Sequence, residues 1–223
     1  MRHFATGVLS LFLLHAPAWS QNTHPVTGRH YAGAMGVAGA PWLVRDEREA
    51  EERPDQALDE LKIAKGSTVA DVGAGVGYMS WRLAARVGPM GRVYANDIQP
   101  QMLELLKKNI AERHITNVVP VLGEPDDPKL PLGQIDLVLL VDVYHELEQP
   151  QTMLRHIRES LRPDGRLVLL EYRAEDPKVP ILPLHKMTVE QVKSEIEPEG
   201  FRLDQVIESL PRQHIIIFKR KPS

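Results

Sequence analysis

The 223-residue sequence contains no cysteine. That removes disulfide staples, thiolate metal centres and cysteine nucleophiles together, so stability rests on packing. It also lacks an excess of one charge: 27 Lys and Arg stand against 30 Asp and Glu, a net charge of −3. Nucleic-acid binders gather basic residues into a patch, so no nucleic-acid partner is expected, and a small-molecule substrate is. Long apolar runs are missing too. The N-terminal one, Phe4–Leu14, is shorter than the roughly 20 residues that cross a bilayer, which argues against a stable membrane anchor. No internal repeat is visible, and no metal-ligand set stands out.

What is there first has the form of an export signal. Arg2 and His3 precede the apolar run and Ala18, Trp19 and Ser20 follow it, so residues 1–20 are expected to be a signal peptide and the protein to be exported. Residues 21–53 turn polar and then glycine-rich, with Gly33, Gly36 and Gly39 in a three-residue rhythm, which reads as a flexible lead-in. The following WLVRDEREAEER, residues 42–53, alternates charge at helical spacing and reads as a solvated helix in which Asp46 or Glu49 reaches Arg48 or Arg53.

From residue 54 onward short β-branched runs alternate with amphipathic stretches. Strands are predicted at Thr68–Val72, Arg92–Asn96, Val118–Leu122, Ile135–Val141 and Arg166–Glu171. The last two are almost wholly apolar, as expected for strands covered on both faces by crossover helices. A helix is predicted from near Gly77, and another has Met102, Leu105, Leu106 and Ile110 on one face. Phe201–Glu208 and His214–Lys219 are separated by too few residues for a crossover and should pair antiparallel. The expected fold class is α/β: a doubly wound, mostly parallel seven-stranded sheet with an antiparallel last strand, in one domain over residues 54–223.

Residues 69–78, VADVGAGVGY, end a strand at Asp71 and turn through Gly73, Gly75 and Gly77. Glycines there let the backbone approach a ligand, with helix amides facing it. Dinucleotide enzymes use G-x-G-x-x-G at this place, but their third glycine falls on Tyr78, and Asp71 would oppose a pyrophosphate while suiting a cationic amino group. Asp97 ends the second strand at the separation expected for an acid that bonds ribose hydroxyls. Glu124 or Asp126 follows the third strand, where either could face an adenine amino group. Asp142, Tyr144 and His145 follow the fourth, at the carboxyl end where open α/β sheets bind ligands.

The D-x-G-x-G-x-G loop, the acid after strand two and ESLRPDGRLVLLEY at 159–172 together resemble the class I S-adenosylmethionine-dependent methyltransferases over about residues 54–220. The resemblance implies S-adenosyl-L-methionine as cofactor, held by Asp71, Gly73, Ala74, Gly75, Gly77, Tyr78, Asp97, Ile98, Glu124 or Asp126, and Asp142. It further implies that His145 and Glu171 stand where phenolic O-methyltransferases carry a catalytic histidine and the acid that orients it, although the tryptophan of their HDW pattern is absent from HEL. His145 is a candidate general base, with pocket lining as its other reading. His185 and Lys186 are candidates for a lid over the substrate, Tyr31, Trp42 and Arg45 for closure over the cofactor, and His214 for a structural role. Two other functions stay open: a non-catalytic binding protein on the same fold, and a nicotinamide-dependent oxidoreductase.

Overall fold

The computed structural model describes residues 22–222, so the expected export signal lies outside the described residues. The stretch expected to be a flexible lead-in is instead built into the molecule. Thr23 bridges His30, Tyr31 and Ala32 are buried, and a 3-10 helix runs over Val37–Val44. The charged stretch 42–53 is not one solvated helix either. It divides between that 3-10 helix and α1 (Glu47–Glu52), whose Arg48 and Glu52 are buried. Arg53 adopts a positive φ of 49° so that Pro54 can open α2 (Pro54–Glu60) at its first turn, where a missing N–H costs nothing.

The remaining chain alternates as predicted. β1 (Thr68–Val72) leads to α3 (Ser80–Val87), β2 (Arg92–Asp97), α4 (Pro100–Glu112), β3 (Val118–Leu122) and β4 (Ile135–Val141). Then come α5 (Pro150–Ser160), β5 (Leu161–Arg173), β6 (Lys186–Met187), α6 (Val189–Ile196), β7 (Phe201–Ile207) and β8 (Gln213–Arg220). The strand order is β3-β2-β1-β4-β5-β8-β7. β1 to β5 pair in parallel and β8 enters antiparallel between β5 and β7. The sheet has eight strands rather than seven, because β6 pairs with the end of β5 at Tyr172 and Arg173. β5 also begins earlier than predicted, with its ladder to β4 shifting between Leu161 and Arg166.

Period-2 alternation divides the core between the two faces. Val69, Leu137, Leu139, Val168, Leu170, Ile215 and Ile217 pack beneath Leu58, Leu83 and Leu106 of α2, α3 and α4. Ala70, Val72, Val138, Leu140, Leu167, Leu169, Ile216 and Phe218 pack beneath Leu154, Ile157, Val192 and Ile196 of α5 and α6. Burying each such Leu or Ile stabilises by about 1.5–3 kcal/mol. The parallel strands therefore end together, which places their loops along one crevice. No helix among the described residues is long and apolar enough to cross a membrane.

Candidate functional site

A cavity of about 790 Å³ opens at the carboxyl ends of β1, β2, β4 and β5. Gly73 and Gly75 form one wall at φ 75° and 53°. A Cβ on Gly73 would collide with Val143, and one on Gly75 would come within 2.8 Å of Leu43 Cδ1. Only glycine permits both that backbone and that approach. The loop amides, however, do not face a ligand. Gly73 and Ala74 N–H both donate to Asn96 O, Gly75 N–H donates to Asp97 Oδ2 at 2.9 Å, and Gly77 N–H donates to Ala74 O. α3 starts only at Ser80. The glycines supply proximity, not donors.

Asp97 and Ile98 lie on the cavity wall. The Asp97 carboxylate also accepts Gln99 N–H at 2.8 Å, and its pKa is raised by burial against the pull of these amides. Asp142 is on the wall too, held at φ 53°. Its Oδ2 accepts Gln213 Nε2–H at 2.8 Å while its buried Oδ1 has no partner. Burial, with Glu52 and Glu171 nearby, holds its carboxyl well above the usual range.

Asp71 departs from expectation. It shares parity with Val69, so it points beneath α3 rather than into the cavity, and its Oδ2 accepts Ser80 Oγ–H at 2.6 Å. Burial pushes its pKa up to about 6 from 3.8. A carboxyl with a raised folded-state pKa binds its proton more tightly than the unfolded chain does, so its stabilising contribution is complete below about pH 4 and is lost as pH rises through about 6. Asp71→Asn should therefore gain up to about 3 kcal/mol relative to wild type on going from acid to neutral pH. Chemical denaturation at the two pH values checks this, and an equal difference at both would refute it.

Gly77, Ala74 and Tyr78 are also absent from the wall. Gly77 packs on Leu106, and Tyr78 donates its hydroxyl to Glu49 at 2.6 Å beneath the Arg48 and Arg82 guanidiniums. Glu124 pairs with Lys129 at 3.2 Å, and neither it nor Asp126 lines the cavity, where Pro125 stands instead. Of the closure candidates, Trp42 reaches the wall while Tyr31 and Arg45 do not. Lys186 ties down the loop before it by donating to Val179 O, and His214 bridges Glu208 and Glu175 at 2.7 and 2.8 Å, away from the cavity.

His145 and Glu171 meet as expected. Glu171 Oε2 lies 2.7 Å from His145 Nδ1, and its Oε1 accepts Tyr144 N–H at 2.9 Å, so the ring is fixed by a fully buried carboxylate. Burial lowers the His145 pKa, but Glu171, with Glu146 and Asp142, outweighs it and the net shift is upward. With Nδ1–H given to Glu171, Nε2 faces His185 Nδ1 at 3.0 Å. His185 comes from a 3-10 turn, Pro183–His185, and its pKa is lowered by burial and by His145.

Several wall residues escaped the sequence reading. Arg48 donates to Glu52 Oε2 at 2.6 Å and to Leu43 O at 2.8 Å, and Tyr172 donates its hydroxyl to Glu52 Oε1. Glu146 follows His145, its pKa pushed up to about 7 by burial. With no metal ligands read from the sequence, the fold nonetheless gathers His145, Glu146 and His185 so that their ligating atoms lie within 4.8 Å of one another.

A methyltransferase-domain sequence profile matches residues 70–167. A probable cobalt-precorrin-6B C(15)-methyltransferase (decarboxylating) of Sulfolobus acidocaldarius is 30% identical over 140 residues, which cover 60% of this chain and 71% of that protein. The nocamycin O-methyltransferase of Saccharothrix syringae is 36% identical over 115 residues, 50% of this chain and 40% of that one. The chain spans about half the length of other such relatives. A S-adenosylmethionine-dependent methyltransferase from Aquifex aeolicus shares the fold, with a TM-score of 0.78 at 24% identity over 83% of this chain and 98% of that one. The chain belongs to the class I S-adenosylmethionine-dependent methyltransferases. The family's cofactor fits this site: its cationic amino-acid end suits the unpartnered Asp142 Oδ1, and Arg48 stands on the same wall for a carboxylate.

Proposed function

We propose that the protein transfers a methyl group from S-adenosylmethionine to a small-molecule acceptor inside this cavity. The observation that carries the reading is that Asp97 opens onto the same space as His145, which the buried Glu171 holds at 2.7 Å. Asp97 holds the ribose hydroxyls, Asp142 the amino group and Arg48 the carboxylate. When bound, the cofactor supplies an electrophilic methyl on a sulfonium. The chain's task is to bring the acceptor in line with it and keep water out, and positioning of this kind lowers a displacement barrier by several kcal/mol. The acceptor's nucleophilic atom is activated at His145 Nε2, which Glu171 turns toward the cavity.

A non-catalytic binding protein would need Asp97 but not a buried His–Glu pair 2.7 Å apart. A nicotinamide enzyme would need free loop amides for its pyrophosphate, and those of Gly73 and Gly75 are already taken. Calorimetry with S-adenosylhomocysteine and with NADH is the test. S-adenosylhomocysteine binds and NADH does not, and Asp97→Ala weakens binding by at least about tenfold, through loss of charge-assisted hydrogen bonds worth about 1.5–3 kcal/mol each. Tighter binding of NADH, or unchanged affinity in Asp97→Ala, would sink this assignment.

A further inference from the structure

We propose that His145, Glu146 and His185 form a binding site for one divalent transition-metal ion at the acceptor end of the cavity. His145 and Glu146 project from a single 3-10 turn, Tyr144–Glu146, and His185 projects from the turn facing it. His145 Nε2 and His185 Nδ1 are 3.0 Å apart, and Glu146 Oε1 is 3.9 Å from the same Nε2. Ligands about 2.0–2.2 Å from a common ion sit about 3 Å apart at adjacent positions. The two imidazoles already have that spacing, and the Glu146 carboxylate, within 4.8 Å of both nitrogens, has to swing closer to complete the set, a movement within side-chain freedom.

Three further features match a metal centre. Glu171 behind His145 completes the carboxylate–histidine arrangement that fixes the tautomer of metal-ligating imidazoles. The backbone that carries the ligands is clamped, since Arg29 Nη1–H and Ala32 N–H both donate to His145 O while Arg29 is anchored on Glu195 of α6. The cavity wall is also short of positive charge. Asp97, Asp142, Glu146 and Glu148 face it against the single guanidinium of Arg48, which is itself paired with Glu52. Among the described residues the only ion-pair partner of Glu146 is His145.

Two imidazoles and one carboxylate suit Zn²⁺, Co²⁺, Mn²⁺ or Fe²⁺ and leave positions open toward the cavity. Those positions take a ligating oxygen or nitrogen of the acceptor, and with the ion bound His145 Nε2 serves as its ligand, so that the ion rather than the free imidazole activates the acceptor. That role rests on the methyl-transfer reading, whereas metal binding itself does not.

The test uses protein without a polyhistidine tag, stripped with a chelator and titrated with Co²⁺ alone and then Zn²⁺. One equivalent of Co²⁺ should bind with appearance of d–d absorption, and Zn²⁺ should displace it. Glu146→Gln and His185→Ala should each weaken binding by at least about tenfold, and Glu171→Gln by about 10–100-fold. His214→Gln, in the separate His214–Glu175–Glu208 cluster, should leave it unchanged. Unfolding midpoints show that the variants are folded. No Co²⁺ binding to wild type, or binding that survives both Glu146→Gln and His185→Ala, would overturn the proposal. Calorimetry with S-adenosylhomocysteine on the same samples separates the two readings: intact binding without metal binding sinks this site alone, and the reverse sinks methyl transfer alone.

Discussion

His145→Gln is expected to lower methyl transfer by about a hundredfold or more while S-adenosylhomocysteine affinity stays within a few-fold of wild type. Glutamine keeps nearly the same volume and can still meet Glu171, but it offers the cavity an amide in place of an unprotonated imidazole nitrogen. The loss falls on acceptor activation, a step for which a well-placed group contributes about 10²–10⁴-fold. His145 is about 1% exposed, so the polar replacement has to be shown to be folded, and unchanged S-adenosylhomocysteine binding shows it. Glu171→Gln should move kcat in the same direction without a matching change in KM, because it acts through the orientation of His145. Turnover within a few-fold of wild type in His145→Gln would reduce the residue to pocket lining.

The second large effect concerns stability and cofactor binding together. Arg48→Met should destabilise the fold by about 3 kcal/mol, the lower end of the cost of breaking a buried ion pair by removing one partner. The lower end applies because Glu52 keeps the Tyr172 hydroxyl at 2.8 Å and Arg45 at 3.2 Å. Leu43 O loses its donor as well. Asp142 feels the change, since its carboxyl is already held high by burial and by Glu52, with Arg48 pulling it down. S-adenosylhomocysteine binding should weaken by at least about tenfold through loss of the wall's guanidinium. Denaturant unfolding and calorimetry check the two halves. A midpoint and an affinity both unchanged would show that Arg48 is neither a structural cation nor a cofactor ligand.

Local pattern was enough for several features of this chain. The alternation of β-branched runs and amphipathic stretches determined the parallel sheet and its antiparallel closing strand, because each periodicity has one way to bury its apolar side. It also put Asp97 and His145 at strand ends, and hence at the crevice. The Val141↔Leu170 register of β4 and β5 then brings Glu171 beside His145 across 26 residues of sequence.

Other features depended on contacts that periodicity does not encode. Alternating charge over residues 42–53 reads the same whether a helix is solvated or buried. Arg48 and Glu52 became interior only because Tyr172 and Asp142 stand beneath them. The glycine loop was legible, but not the fate of its amides, which depended on Asn96 and Asp97 of the next strand. Asp71 carried a usable signal: it has the parity of Val69, whose face is packed beneath α2, α3 and α4.

The chain's own order of residues thus determined the sheet, the crevice and the His145–Glu171 pair, since these follow from local period and strand adjacency. Which charges line the cavity, which are sealed beneath it, and the meeting of His185 with His145 and Glu146 were decided only in three dimensions. There, residues about 40 positions apart are set 3.0 Å from one another by turns whose direction no sequence period specifies.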